Sequence, residues 1–110
     1  MEEEILHLYQ EPGIGASYTN TYGEENIRNL LNKYHSLDDA GMQQMLKMVL
    51  NFSQSTDLAT SFVSVGVLHA LGHQEGVVEA YAWANAQEDS QRIISHFEIG
   101  KSIADYFSPG

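Results

Sequence analysis

The chain contains no cysteine, which excludes a disulfide framework, a thiolate zinc site and a cysteine nucleophile together. It is also poor in positive charge: 5 basic residues stand against 15 acidic ones, for a formal net charge of -10. A field of that sign repels nucleic acid and anionic lipid while it speeds encounter with a basic partner. Direct nucleic-acid binding is therefore not expected. Long apolar runs are missing too. The longest uncharged stretch, Leu58 to Gln74, is interrupted by Thr60, Ser61, Ser64 and His69 and falls short of the ~20 predominantly apolar residues of a membrane span. The opening MEEEILHLY has neither the basic n-region nor the long apolar h-region of a secretory signal. The expectation is a soluble cytoplasmic protein.

What is present points to a globular fold. A chain of 110 residues that is 43% hydrophobic and 18% charged reads as one domain over residues 1–110, burying about 65% of its unfolded surface. The first nine residues fit a short helix with acids at its N-terminus. From Gln10 to Gly23, QEPGIGASYTNTYG has no 3.6-residue period and reads as an irregular but ordered loop. Glu24 to His35 is a helix with Ile27, Leu30, Leu31 and Tyr34 on one face. Ser36, with Asp39 three residues on, offers a variant capping box for a third helix running to about Ser53, whose stripe is Met42, Met45, Leu46, Val49, Leu50 and Phe52. Its methionines fit core filling, with an adaptable binding surface as the alternative.

Ser55, Thr56 or Asp57 caps the next helix, and Gly72 ends it. Apolar residues from Leu58 to Leu71 lie almost all the way round this segment, as a central helix covered by its neighbours requires. A fifth helix follows from about Glu75 to Gln87. Asp89 or Ser90 starts a sixth, in which Ile93, Phe97, Gly100, Ala104 and Phe107 keep helical spacing before Pro109 and Gly110. No segment alternates as a strand does. The predicted fold is all-α, a single-domain bundle of five to six antiparallel helices with short connections and one longer N-terminal loop.

Chemistry-bearing motifs are sparse. His69 and His73 stand at i and i+4, and HALGH resembles the zincin spacing, but Ala70 fills the place of the catalytic glutamate and Gly72 threatens to end the helix between the two imidazoles. His69 continues the apolar stripe and reads as a satisfied core histidine. GIGASY supplies two glycines of a dinucleotide fingerprint without a preceding strand, and reads as a turn. Neither a P-loop lysine, a G-x-S-x-G elbow nor a calcium loop occurs, and nothing selects a Ser-His-Asp triad. No catalytic residue, metal or cofactor is expected. Acidic pairs such as Asp38 with Asp39 sit where helix N-termini welcome negative charge.

The stretch that holds the fifth helix, GHQEGVVEAYAWANAQED from Gly72 to Asp89, is different in kind. At 100° per residue Val78, Tyr81, Ala82 and Asn85 form the expected core face, and Glu75, Glu79 and Trp83 fall on the other side at i, i+4 and i+8. An amphipathic aromatic beside carboxylates is the makeup of a hot spot for a basic surface; the alternative is that Trp83 packs against the N-terminal helix or loop. Glu88 and Asp89 extend that acidic edge, and Asp38 and Asp39 are further candidates for a partner contact.

Two resemblances bear on function. GVVEAYAWANAQ resembles the second helix of a SEL-type tetratricopeptide repeat, found here once over about twelve residues, which implies helix-hairpin packing and a protein-interaction role. In length, net charge, absent cysteine and absent catalytic motif, with GHQEGVVEAYAW as contact face, the chain resembles the small acidic all-helical immunity proteins of bacterial contact-dependent growth-inhibition systems with nuclease toxins. That resemblance implies a toxin inhibitor that binds a basic toxin domain and blocks its active site, through Glu75, Glu79, Trp83, Glu88 and Asp89 with Asp38 and Asp39. A tetratricopeptide-like adaptor and a small enzyme using His69, His73 and Glu75 are the alternatives, and a homodimer is compatible with the exposed aromatics.

Overall fold

A short polar residue at a helix start can accept from the free N–H groups of the first turn, and a glycine at its end can take the left-handed conformation that redirects the chain. In the computed structural model, which describes residues 1–15 and 17–107, the described residues form six α-helices, some of them bounded by such devices: α1 (Glu2–Gln10), α2 (Glu24–His35), α3 (Asp39–Phe52), α4 (Leu58–Ala70), α5 (Gln74–Asn85) and α6 (Ser90–Ala104). No strand occurs among the described residues, so the fold is all-helical, as the periodicity predicts. The expected turn across Gly13 to Tyr18 includes Ala16, and the expected chain end includes Pro109 and Gly110; these lie outside the described residues.

Asp57 is the N-cap of α4, its carboxylate accepting from the Thr60 N–H at 3.3 Å. Gly72 follows the same helix at φ +70°, a conformation that a β-carbon disfavours. The start of α3 departs from the predicted capping box. Its N-cap is Asp38, which accepts from the Gly41 N–H at 2.8 Å, while Ser36 turns back to donate to the Lys33 carbonyl at 2.6 Å. Ser36 is spent on finishing α2, so it has no hydroxyl left to start α3.

The core is organised by α4. Every residue from Ser61 to Leu68 is buried, because apolar and small side chains occupy all sides of this segment and α2, α3, α5 and α6 cover it. Its tightest neighbour is α6. A β-carbon built on Gly100 would lie 3.0 Å from the Phe62 carbonyl oxygen and 3.5 Å from the Gly66 nitrogen, so the two backbones touch where both helices carry glycine. The buried hydroxyls return to their own helix: Ser61 donates to the Leu58 carbonyl at 3.1 Å and Ser64 to that of Thr60 at 2.8 Å.

The segment between α1 and α2 has one turn of 3-10 helix, Tyr18–Asn20, and a polar anchor that the sequence did not reveal. Asn20 and Asn26 are both fully buried and bonded to each other, Asn20 Nδ2 donating to Asn26 Oδ1 at 2.8 Å. Asn26 Nδ2 donates in turn to the carbonyls of Leu8 and Pro12, each at 3.0 Å, and Asn20 Oδ1 accepts from the Glu25 N–H at 2.9 Å. Side-chain amides here replace the backbone ladder that an irregular segment lacks.

Candidate partner-binding site

The orientation of α5 decides what the candidate site looks like, and it differs from the predicted one. Its buried residues are Gly76, Ala80 and Ala84, a row at i, i+4 and i+8, while Val78 from the expected core face is 67% exposed and Ala82 and Asn85 also face water. Small side chains let the helix settle close to its neighbours: a β-carbon on Gly76 would stand 2.5 Å from Leu50 Cδ2 and 3.3 Å from Leu68 Cδ1. Close packing of the backbone against α3 and α4 outweighs the burial of one valine. Ranking faces by large apolar residues missed this; the Gly76, Ala80, Ala84 row was the available signal.

The rotation moves Trp83 from the outer face to the margin of the core, where it is half-buried and packs against the buried cluster. Its position as a fully outward hot spot is thereby corrected. Trp83 instead lines a cavity of about 450 Å³ at the α5–α6 turn, together with Thr56, Ala86, Gln87, Glu88, Asp89 and Ile93. Gln87 is fixed by donating to the Trp83 carbonyl at 3.1 Å.

Of the predicted contact residues, the structure thus gathers Trp83, Glu88 and Asp89 around one cavity. Glu79 is exposed one turn before Trp83 and Glu75 a further turn back. Neither lines the cavity. Asp38 and Asp39 are exposed at the start of α3, where Asp38 is committed to its own helix.

Asp89 is not committed in that way. It occupies the N-cap position of α6, yet its carboxylate accepts no hydrogen bond from the first turn. Its nearest charge is Arg92, at 3.8 Å with both side chains largely in water, a pairing of little strength. Neither Glu88 nor Thr56 makes a side-chain hydrogen bond among the described residues. The cavity is therefore lined by a tryptophan, an isoleucine and two acidic residues whose carboxylates accept no hydrogen bond among the described residues.

No family, no curated protein and no solved structure matches this chain.

The histidine pair assembles no comparable site. His73 caps α5, its Nδ1 accepting from the Gly76 N–H at 3.0 Å. His69 is half-buried with its ring edge-on to Tyr81 at 6.3 Å. Its Nε2 is buried without a hydrogen-bond partner among the described residues, which corrects the expectation of a satisfied core histidine. Burial, reinforced by the charge of Lys101 and opposed by Glu98 and Asp105, holds the His69 imidazole below its ordinary pKa. Burial and the Glu98 carboxylate push the neighbouring Tyr81 phenol up to about 12. No group of three or more histidine, aspartate or glutamate side chains able to hold a metal ion occurs among the described residues. None of the described helices is long and apolar enough to cross a membrane.

Proposed function

We propose that the chain is an immunity-type inhibitor that acts by binding alone, in the cytoplasm, on a basic protein partner, and that the partner is a nuclease toxin domain of the contact-dependent growth-inhibition kind. The observation that carries this is the cavity in which Trp83 sits beside the unspent carboxylates of Glu88 and Asp89, on a chain whose net charge is -10. Such a surface attracts a basic domain from a distance and offers it an aromatic anchor at contact. A nuclease active site is basic because it must hold phosphates, so an acidic protein is suited to cover it. Glu75 and Glu79 extend the same charge along α5 and contribute to steering.

The test is capture by the tagged chain from cells co-expressing neighbouring reading frames, washed at about 0.5 M salt, where exposed charges are strongly screened. One stoichiometric basic polypeptide whose nuclease activity falls on binding is the expected result. If nothing is retained, or if the retained protein keeps full activity, the proposal fails.

A further inference from the structure

We infer that the cavity at the α5–α6 turn is a receptor for a guanidinium group, an arginine side chain presented by the basic partner. This rests on the reading of the chain as a binder of a basic protein and names what that partner must insert.

The residue types of the lining match the parts of an arginine side chain. The half-buried Trp83 lines the cavity, and a planar, weakly hydrated cation stacks on an indole better than a compact ammonium does. Ile93 provides apolar surface for the methylene stem. Glu88 and Asp89 are adjacent in the lining and exposed, and among the described residues their carboxylates meet no partner beyond the long, exposed approach of Arg92 to Asp89. Two carboxylates can engage the forked donors of a guanidinium with charge-assisted hydrogen bonds, whereas an ammonium meets them as a point charge. Thr56 adds a hydroxyl that makes no hydrogen bond among the described residues. A carboxylate or phosphate ligand would meet repulsion from Glu88 and Asp89, and a purely apolar one would leave both desolvated without a partner.

Trp83 is the only tryptophan in the chain, so its emission reports occupancy directly. The full chain is titrated with N-acetyl-arginine amide, and in parallel with the lysine and citrulline analogues, the last being shaped like arginine but uncharged. The expected result is a saturable change in Trp83 emission with the arginine probe. Apparent affinity for lysine and citrulline should be lower by a factor of about ten or more, the size of one charge-assisted contact. The Glu88→Gln/Asp89→Asn double variant should keep the circular dichroism and melting temperature of the parent and lose the response. Any of three results overturns the inference: a non-saturable change, equal response to arginine and citrulline or lysine, or a saturable response that survives in the double variant. Because the probe needs no partner, the two proposals fail separately. Capture of a basic polypeptide without a saturable arginine response refutes the guanidinium site alone. A selective response without any captured partner upholds the site and refutes the inhibitor.

Discussion

The chain uses polar side chains in opposite ways at its two irregular segments. Between α1 and α2, Asn20 and Asn26 are sealed from water and bonded to each other, to the Leu8 and Pro12 carbonyls and to the Glu25 N–H. At the turn between α5 and α6, Glu88 and Asp89 line an open cavity and leave their hydrogen-bonding capacity to whatever arrives. The first arrangement stabilises the fold and is closed to ligands, since a buried amide that gives up a partner incurs its full desolvation cost. The second contributes little to stability and for that reason can be committed to another molecule. Helix N-caps repeat the contrast: Asp38 and Asp57 accept from the first turns of α3 and α4, and Asp89 does not accept from α6.

The sharpest way to break this comparison is at the asparagine pair. Asn26→Leu leaves the Leu8 and Pro12 carbonyls and the Asn20 Nδ2 amide each short of a buried partner, so stability should fall by about 3 kcal/mol. Urea denaturation followed by circular dichroism measures it, and a loss below ~1 kcal/mol would mean that water replaces the side chain freely. Next in size is the crossing of α4 and α6. Gly100→Ala places a methyl 3.0 Å from the Phe62 carbonyl, an overpacking that should cost about 2 kcal/mol in the same assay.

The N-caps give a smaller, paired contrast. Asp57→Ala should cost about 1 kcal/mol through loss of its cap, while Asp89→Ala should stay within about 0.5 kcal/mol of the parent. Equal losses from the two substitutions would show that Asp89 is structural after all and would remove the basis for calling it uncommitted.

The helices were legible in sequence because their signals are local. Ile27, Leu30 and Leu31 in α2, and Phe97, Gly100 and Ala104 in α6, recur at helical spacing and are all buried, and the all-round apolarity of α4 correctly announced a central helix. The rotation of α5 was not legible from its large apolar residues, because Gly76 gains by approaching Leu50 and Leu68, contacts that exist only once the bundle has formed. The asparagine pair was hidden for a similar reason: its partners are carbonyls of Leu8 and Pro12, which no periodicity connects to Asn26. Trp83, Glu88 and Asp89 come together because the α5–α6 turn is short, and their nearness in sequence was enough to group them. Their distance from Glu75 and the displacement of Trp83 toward the core needed the structure.

His69 belongs to neither class, and it supplies the smallest effect. Its Nε2 is buried without a hydrogen-bond partner among the described residues, so its polarity is neither satisfied there nor offered to a ligand. Burial and Lys101 hold the folded-state pKa below the ordinary histidine value of 6.5 despite the opposing pull of Glu98 and Asp105. The unfolded chain therefore takes up a proton at His69 more readily than the folded one does. The stability that follows from this difference is present above pH 6.5 and is lost as pH falls through that value toward the folded-state pKa. Acidification from pH 7.5 to 5.5 should lower the melting temperature of the parent. His69→Gln, which cannot titrate and can turn its amide toward water, should show a shallower decline over the same window. A variant with the same slope as the parent would assign the acid sensitivity to other groups and leave His69 a packing residue with no titration linked to folding.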